Sequence, residues 1–309
     1  MSSLCGLLDI SRQGYYKHRE RNEETDVLVS SITYYCRSVR QSLPRSGSRQ
    51  LYSLCRGYFG EKFTIGRDRF CDVLRSNALM LRHKRYRPRT TNSRHPYPLY
   101  RDLLNTSPKY VPPALGCLAV GDITYVGIKG GFAYLSLLTD GYSRIIAGYA
   151  LSRTLKAEGP KEALLMSLDF YKRHGISVKG LIHHSDRGVQ YAGYDYVNLL
   201  KENGVLISMT QTGDPLHNAL AERMNNTIKN EWLFDYRDKT FEEAEEGIRQ
   251  AIYLYNWARP HQALGMKTPM QMLPGEHPNP LCCAAPQEQH NKGFYNKNQK
   301  IFVCQPNQV

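Results

Sequence analysis

The spacing of hydrophobic residues divides the chain into a helical first part and a later part that alternates strands with helices. Residues 1–81 carry apolar residues at intervals of three and four, which is the spacing of one helix face. Ser11 predicts the start of a short helix, and Thr25 predicts the start of another that runs to about Arg40. We therefore expect a small all-α, helix-turn-helix-like region over residues 1–81. Two further helices are predicted by the apolar sets Leu51, Leu54, Cys55 and Ile65, Phe70, Val73, Leu74.

From residue 114 the pattern becomes that of a mixed sheet. Three β-rich runs come first, and the glycine-containing turns between them predict an antiparallel meander. Helical spacing follows from Glu158 to His174, and then short apolar strands alternate with helices, the last of which begins near His217. The order βββ-α-β-α-β-α predicts an α/β fold, a mixed five-stranded sheet with flanking helices, over residues 114–275. The three β-rich runs are Leu118–Ile128, Ala133–Leu138 and Ile145–Leu151.

Two segments lack this periodicity. Residues 82–113 are basic and broken by prolines, which predicts a linker that either lies along a DNA backbone or serves as a plain solvated connector. Residues 276–309 are expected to form a C-terminal tail. The basic residues of the linker are Arg82, Lys84, Arg85, Arg87, Arg89 and Arg94.

The distribution of charge adds a functional indication. Of the net charge of +13, the first 101 residues account for +12, because they hold 20 Lys and Arg against 8 Asp and Glu. Such a basic segment joined to a near-neutral body is typical of a DNA-binding arm, since phosphate neutralisation supplies most non-specific affinity. A helical bundle that binds protein and a merely solubilising surface are the alternatives. No run approaches the roughly 18 apolar residues of a membrane helix, so we expect a cytoplasmic protein.

The eight cysteines contain no CxxC pair and do not resemble a secreted disulfide framework. We expect most of them to be buried free thiols. A zinc site near the C-terminus is an open alternative, although its spacing matches no standard zinc finger. Its candidate ligands are His277, Cys282, Cys283, His290 and Cys304.

Three acidic residues stand where ligand groups tend to lie in such a sheet. Asp122 is in the middle of the first predicted strand, where an acid is unfavourable unless it meets a partner or a cation. Asp186 follows the apolar end of the fourth strand, a place where open α/β sheets hold ligand groups. Glu222 lies on the last core helix, about 200° around the helix from Leu220. We therefore expect the three acids to line one cleft, whereas Glu231 on the same helix is expected to be neutral to substitution. The predicted buried stripe of that helix is Leu220, Met224, Ile228 and Trp232.

The spacing of these acids resembles that of a known superfamily. Asp186 and Glu222 are separated by 35 residues, and Lys229 follows Glu222 by seven, two turns along the same helix face. The chain thus resembles the D,D(35)E transposases and retroviral integrases, and most closely the OrfB-type catalytic subunit of two-frame insertion sequences, the IS-three group. The resemblance extends over nearly the whole chain. It rests on the motifs DITY, LTDGYSR, HSDRGVQY, NALAE and YNWARPHQALGMKTP in the family order. Ala119, where the family usually has tryptophan, and Gly47-Ser48-Arg49, where it has Gly-Tyr-Arg, depart from the pattern.

This resemblance implies a ribonuclease-H-like integrase catalytic core that cleaves DNA and transfers strands in transposition. Asp122, Asp186 and Glu222 would hold two Mg²⁺ ions, for which Mn²⁺ substitutes, with Asp122 as the bridging ligand. Lys229, Asn218 and Asn225 are expected to contact DNA, together with Arg82, Lys84, Arg85, Arg87 and Arg89 of the linker. His183 and His184, next to Asp186, either orient a ligand or pack at the strand end.

The resemblance also implies partners. These are double-stranded DNA, as terminal inverted repeats and as target, further copies of the chain on paired ends, and the OrfA product of an upstream frame. The expected location is the bacterial cytoplasm, at the nucleoid. Two alternatives remain open: a DNA-binding relative that has lost catalysis, and a nuclease of ribonuclease-H type, which would cut DNA without joining it.

Overall fold

The computed structural model of the protein describes residues 11–81, 96–210, 219–233, 236–275 and 277–282. The chain divides into two compact units. Unit 1 consists of Met1–His83 together with Pro280–Val309, and unit 2 consists of Lys84–Asn279. In the described ranges no helix combines the length and the apolar character needed to cross a membrane.

Unit 1 is all-α in its described part, as expected for the N-terminal region. Its first helix is a difference from the prediction, because the two short helices expected at Ser11 and Thr25 are one continuous helix. Ser11 is the N-cap, and its hydroxyl accepts a hydrogen bond from the Gly14 N–H at 2.9 Å. No glycine or proline lies between Arg19 and Thr25, so helix propagation continues through a residue that favours caps elsewhere. The helices are α1 (Arg12–Ser42), α2 (Ser48–Phe59) and α3 (Arg67–Ser76), with a short 3₁₀ turn at Gly60–Lys62.

The three helices bury one apolar stripe each against a common core. Two residues from the far end of the chain also pack here. The Tyr35 hydroxyl donates to the Leu281 carbonyl at 3.0 Å, and the Cys282 sulfur lies 2.7 Å from where a Cβ on Gly57 would sit. Glycine at position 57 therefore leaves the space that Cys282 fills. The buried residues of the three helices include Ile32, Cys36, Val39, Leu51, Leu54, Cys55, Phe70, Val73 and Leu74.

Unit 2 contains the expected mixed five-stranded sheet. Its strand order is β3-β2-β1-β4-β5, with antiparallel pairing of β1, β2 and β3 and parallel pairing of β1 with β4 and of β4 with β5. Because β1 is the central strand, its middle residues lie between the two layers of helices that cover the sheet. The strands are β1 (Leu118–Ile128), β2 (Gly131–Asp140), β3 (Ile146–Ser152), β4 (Ile182–Ser185) and β5 (Leu206–Met209).

Helices cover both faces of this sheet. Neighbouring strand residues pack into different cores, since Ile146 joins one cluster and Ala147 the other. Gly148 brings β3 close to its covering helix, because a Cβ there would lie 2.0 Å from the Ala163 carbonyl oxygen. One face is covered by α4 (Glu158–Arg173), α5 (Val189–Ala192) and α6 (Tyr194–Glu202), and the other by α7 (Ala219–Glu231) and α8 (Phe241–Trp257).

Part of the segment predicted as a linker lies against unit 2. The Leu103 N–H donates to the Ser208 hydroxyl at 2.9 Å, and the Tyr97 ring meets the Tyr194 ring edge-on at 5.6 Å. Asp102, only 4% exposed, accepts hydrogen bonds from its neighbours Leu104 and Asn105. Residues 96–113 thus cover the β5 side of the sheet. The basic residues Arg82, Lys84, Arg85, Arg87 and Arg89 fall outside the described residues.

Candidate active site

Two of the three predicted acids meet across the central parallel strands. Val120 of β1 lies opposite His184 of β4, and two residues further along come Asp122 and Asp186. Side chains two residues apart point to the same face of a strand, so both acids share the face of Val120. That face packs against Ala221 of α7. The sheet register therefore places Asp122 and Asp186 side by side beneath the last core helix.

The third acid, Glu222, belongs to the first described turn of α7. Met224 and Ile228 are buried against the sheet, as predicted, whereas Leu220 and Trp232 are half-buried at its margin. Glu222 is half-buried and close enough to act electrostatically on Asp122. A negative side chain is favourable in the first turn of a helix, where unpaired N–H groups point outward.

The Asp122 carboxylate is the electrostatic centre of the site. Its pKa is raised to about 7, chiefly by burial and then by the negative charge of Asp186, with Glu222 adding to the rise. Hydrogen bonds from Asn225 and from the Ile123 N–H oppose that shift. Like charges that gather in a buried place disfavour one another's ionised forms. The site is thus short of positive charge.

This deficit fits a divalent cation, because hard carboxylate oxygens are the ligands that Mg²⁺ prefers. In the part of the chain that the structure describes, however, no three acidic, histidine or cysteine side chains lie close enough to hold one metal ion. Asp122, Asp186 and Glu222 are therefore in electrostatic contact without forming a closed coordination shell. Asp186 is held by the Gly188 N–H, which donates to its Oδ1 at 2.9 Å.

Asn225 is expected to contact DNA, but its side chain is buried against Asp122. It is 4% exposed, and its Nδ2 donates to Oδ2 of Asp122 at 2.6 Å. The other carboxylate oxygen of Asp122 accepts from the Ile123 N–H at 2.9 Å. The two bonds fix the carboxylate plane. In this arrangement Asn225 holds one of the three candidate acids, and the sequence indicated only that it lies on the same helix face as Glu222.

Lys229 lies on the same side of α7, one turn beyond Asn225. It is half-buried, and burial lowers its pKa while the charge of Asp122 acts in the opposite direction. Its ammonium group is thus within electrostatic range of the acids, as expected for a residue at the edge of the site. Asn218 lies outside the described residues, as do the linker residues named above.

The two histidines before Asp186 are held by the fold. His183 is 1% exposed, shares a 2.9 Å hydrogen bond between its Nε2 and the Tyr196 hydroxyl, and has a pKa lowered to about 3 by burial. His184 is fully buried, and its Nδ1 shares a 2.8 Å hydrogen bond with the Ser208 hydroxyl. Two roles were predicted for these histidines, and their positions favour packing at the strand end over orienting a ligand.

Glu231, expected to be neutral to substitution, has a buried ion-pair partner that the sequence did not indicate. Its carboxylate forms a bidentate ion pair with Arg259, at 2.7 Å to Nε and 2.6 Å to Nη2, and both side chains are only 13% exposed. The pair joins the end of α7 to the segment that follows α8. No local sequence pattern predicts a contact between residues 28 positions apart.

Asp140 is a second structural acid that the sequence did not single out by its chemistry. It is fully buried, and its carboxylate accepts from the N–H groups of Gly116, Tyr142 and Ser143 and from the hydroxyls of Ser143 and Tyr171. These five bonds fix the turn between β2 and β3. The Asp-Gly turn signal was visible in the sequence, but it did not reveal the buried partners.

The zinc alternative finds no support in the described residues. The His277 ring packs on Trp257 at 5.8 Å, and its Nε2 lies 3.2 Å from the Pro274 carbonyl oxygen. Cys282 is a free thiol, as are the other described cysteines Cys36, Cys55, Cys71 and Cys117. Cys283, His290 and Cys304 lie outside the described residues.

The chain matches known families over this site. Two sequence models, each described as an integrase core domain, match residues 115–215 and 203–269. The insertion element IS600 uncharacterized 31 kDa protein of Shigella sonnei is 32% identical over 281 residues, which is 86% of this chain and 96% of that protein. The putative transposase for insertion sequence element IS986/IS6110 of Mycobacterium tuberculosis is 31% identical over 166 residues, or 53% of this chain and 60% of the relative.

Among solved structures, the HTLV-2 integrase catalytic core domain in complex with magnesium aligns with a TM-score of 0.40 and 18% identity, over 52% of this chain and 98% of that domain. The family matches and the sheet topology agree with the ribonuclease-H-like integrase core expected from the motifs. The chain therefore belongs to the insertion-sequence transposases of the DDE/integrase superfamily.

Proposed function

We propose that the chain cleaves transposon DNA and transfers its strands, with Asp122, Asp186 and Glu222 as the catalytic acids. The observation that carries this proposal is the raised pKa of Asp122, which results from burial beside two further acids. The buried structural acids of this fold are compensated differently, since Glu231 is paired with Arg259 and Asp140 accepts five hydrogen bonds, whereas Asp122 faces two further acids. Perturbed acids of this kind are typical of functional sites.

The three acids would hold two Mg²⁺ ions, for which Mn²⁺ substitutes, with Asp122 as the shared ligand. Such ions would stabilise the attacking and leaving oxygens of a displacement at phosphorus. The protein's own residues prepare the site. Asn225 and the Ile123 N–H orient Asp122, the Gly188 N–H orients Asp186, and α7 carries Glu222 over the sheet.

The nucleophile does not come from a side chain in this scheme, because water or a DNA 3′-hydroxyl attacks the phosphodiester. Lys229 would contact a phosphate oxygen at the edge of the site, where its charge balances the acids. Its partial burial favours this role, since a desolvated ammonium group gains more from an anionic partner than an exposed one.

A plasmid assay tests the function. The purified chain is incubated with Mg²⁺ and a supercoiled plasmid that carries the inverted repeats flanking the gene. Nicked ends that are then joined to new DNA support a transposase. Nicks without joining would favour the ribonuclease-H-type nuclease, and DNA binding without either product would favour the inactive relative.

Asn225→Leu is expected to weaken binding of Mg²⁺ by about 10- to 100-fold, because groups that orient a metal ligand typically contribute that much. Leucine has a similar volume but no donor for Asp122. Calorimetric titration of the full chain with MgCl₂ measures the effect, and Asn226→Leu, on the neighbouring half-buried position of α7, is the matched control. A change in DNA affinity with unchanged metal affinity would instead favour the DNA-contact role first expected of Asn225.

DNA affinity is expected to reside mainly in the basic first third of the chain. The helical part of unit 1 exposes several basic side chains, so neutralising them in the full chain should flatten the salt dependence of binding by about 0.9 for each lost phosphate contact. The test variant replaces the exposed residues Arg37, Arg49, Arg56 and Arg69 by glutamine.

The matched control removes the same charge from an exposed surface of unit 2, by replacing Lys161, Lys172, Arg173 and Lys179 with glutamine. Equal salt slopes for the two variants, measured by fluorescence anisotropy of a labelled duplex, would refute a special role of unit 1 in DNA binding.

The proposed partners follow from the reaction. Insertion joins two transposon ends to target DNA, whereas one site handles one strand at a time, so we propose that the chain acts as a multimer on paired ends. An upstream-frame OrfA product or fusion is a further proposed partner, and the bacterial nucleoid is the proposed location.

A further inference from the structure

A second cluster of charge lies in unit 2 where the turn between β2 and β3 meets α7. Arg144 closes this turn, and its N–H donates to the Asp140 carbonyl at 3.0 Å. The Tyr255 hydroxyl of α8 links the turn to the helix, because it donates to the Arg144 carbonyl at 3.1 Å and lies 2.7 Å from the Met224 sulfur. Met224 is next to Arg223. The charge of Arg223 acts on Arg144, so the two arginines lie within electrostatic range of each other.

Arg144 has an unfavourable backbone conformation, with φ at 65°. This left-handed region is uncommon for residues other than glycine and costs energy that the surrounding fold must supply. Glycine would adopt this conformation with less strain, and the same turn does contain a glycine, at position 141. An arginine at position 144 is therefore not explained by backbone geometry, and its side chain is the remaining reason for its presence.

The guanidinium groups of Arg144 and Arg223 have no ion-pair partner in the described part of the chain, although the charge of Asp140 acts on Arg144. Among the described residues, no carboxylate forms an ion pair with either of them, although Arg144 is half-buried. Asp140, the nearest acid to Arg144 in sequence, is already occupied by five donors. Burial lowers the pKa of Arg144, and the charge of Arg223 acts in the same direction against opposing effects of Tyr255 and Asp140.

The neighbouring groups add to this positive charge. Arg259 lies 6.0 Å from the centre of the Tyr255 ring and is neutralised by Glu231. His261 is 7% exposed and stacks edge-on against Tyr255 at 4.8 Å. Burial and the charges of Arg259 and Arg144 lower the pKa of His261 to about 3, so this ring is neutral at physiological pH. Of the three arginines in this region, only Arg259 therefore forms an ion pair with a carboxylate among the described residues.

We propose that Arg144 and Arg223 form a binding site for a phosphodiester group of the DNA backbone, beside the catalytic helix and separate from the acids. Guanidinium groups match phosphate oxygens in charge and geometry, and a half-buried one without a partner binds such an anion strongly. The inference rests on the proposed function, since it takes DNA as the ligand. A DNA strand held there is positioned along the side of α7 that Glu222 does not occupy.

The test measures binding of the full chain to labelled duplex DNA in chelator, over a range of salt concentrations. Arg144→Gly and Arg223→Gln are each expected to weaken binding about tenfold and to lower the salt slope by about 0.9. The losses should be the same for unrelated duplex sequences, because a phosphate contact carries no base information. Arg173→Gln removes one charge from α4, on the opposite face of the sheet, and is the control.

Thermal unfolding separates this role from a structural one. Arg144→Gly removes the strained conformation and the unpaired charge together, so its Tm should equal or exceed that of the wild-type chain. A clear fall in Tm would mean that Arg144 serves the fold. The salt slope of DNA binding by the exposed Arg223→Gln variant alone would then decide whether the phosphate site exists. Salt slopes of both variants equal to that of Arg173→Gln would overturn the proposal. Because these measurements exclude Mg²⁺, they stand apart from strand transfer, which tests the proposed function.

Discussion

Replacing Glu222 by glutamine is expected to lower the rates of DNA cleavage and joining by about 10²-fold or more, while folding and DNA binding persist. The amide has nearly the same shape as the carboxylate, so the packing of Met224 and Ile228 against the sheet should survive. The lost negative charge removes a proposed metal ligand where charge develops at phosphorus. A single electrostatic group of this kind contributes about 2.7 kcal/mol or more to lowering the barrier.

The control for this substitution is Glu162→Gln on α4. Glu162 is exposed and lies on the helix that covers the opposite face of the sheet, so its loss should leave strand transfer unchanged. Rates are measured on the same plasmid substrate in Mg²⁺, and circular dichroism checks the fold of both variants. Wild-type strand transfer by Glu222→Gln would show that the third catalytic acid is assigned to the wrong residue.

Glu231→Gln, by contrast, is expected to destabilise unit 2 by about 3–5 kcal/mol, since it leaves Arg259 charged and largely buried without a partner. Urea unfolding without metal or DNA measures this effect. The two tryptophans of the chain, Trp232 and Trp257, both lie in unit 2, so their fluorescence follows this unit alone.

The matched control is Glu246→Gln, which breaks an ion pair with Arg249 of similar geometry at an exposed position. Water and salt screen that pair, so its loss should change stability far less. Equal unfolding midpoints for Glu231→Gln and the wild-type chain would contradict the assignment of a structural role to this buried pair.

The sequence predicted those features that local patterns encode. Strand alternation and glycine turns predicted the three antiparallel strands, and the spacing of Asp186 and Glu222 indicated the candidate acids through their resemblance to a superfamily. The parallel register of β1 and β4 then explains why Asp122 and Asp186 meet. These features depend on periodicity and on order along the chain, which a single sequence displays.

The features that the sequence missed depend on contacts between distant residues. Thr25 carries a capping signal, but it lies within a continuous helix because nothing in the preceding turn stops propagation. Glu231 lies outside the predicted buried stripe of its helix, and only the fold brings Arg259 to it. Asn225 shares a helix face with Glu222, and its burial against Asp122 depends on how closely α7 approaches β1.

The packing of Leu281 and Cys282 on α1 and α2 also bears on the order in which the chain folds during translation. The helices of unit 1 are synthesised before unit 2, but the carbonyl that accepts from Tyr35 is made only after the whole of unit 2. At about 5–20 residues per second, synthesis of the roughly 200 intervening residues takes about 10–40 s. During that interval the space beside Gly57 that Cys282 fills is unoccupied, and a nascent chain released before residue 281 keeps it so.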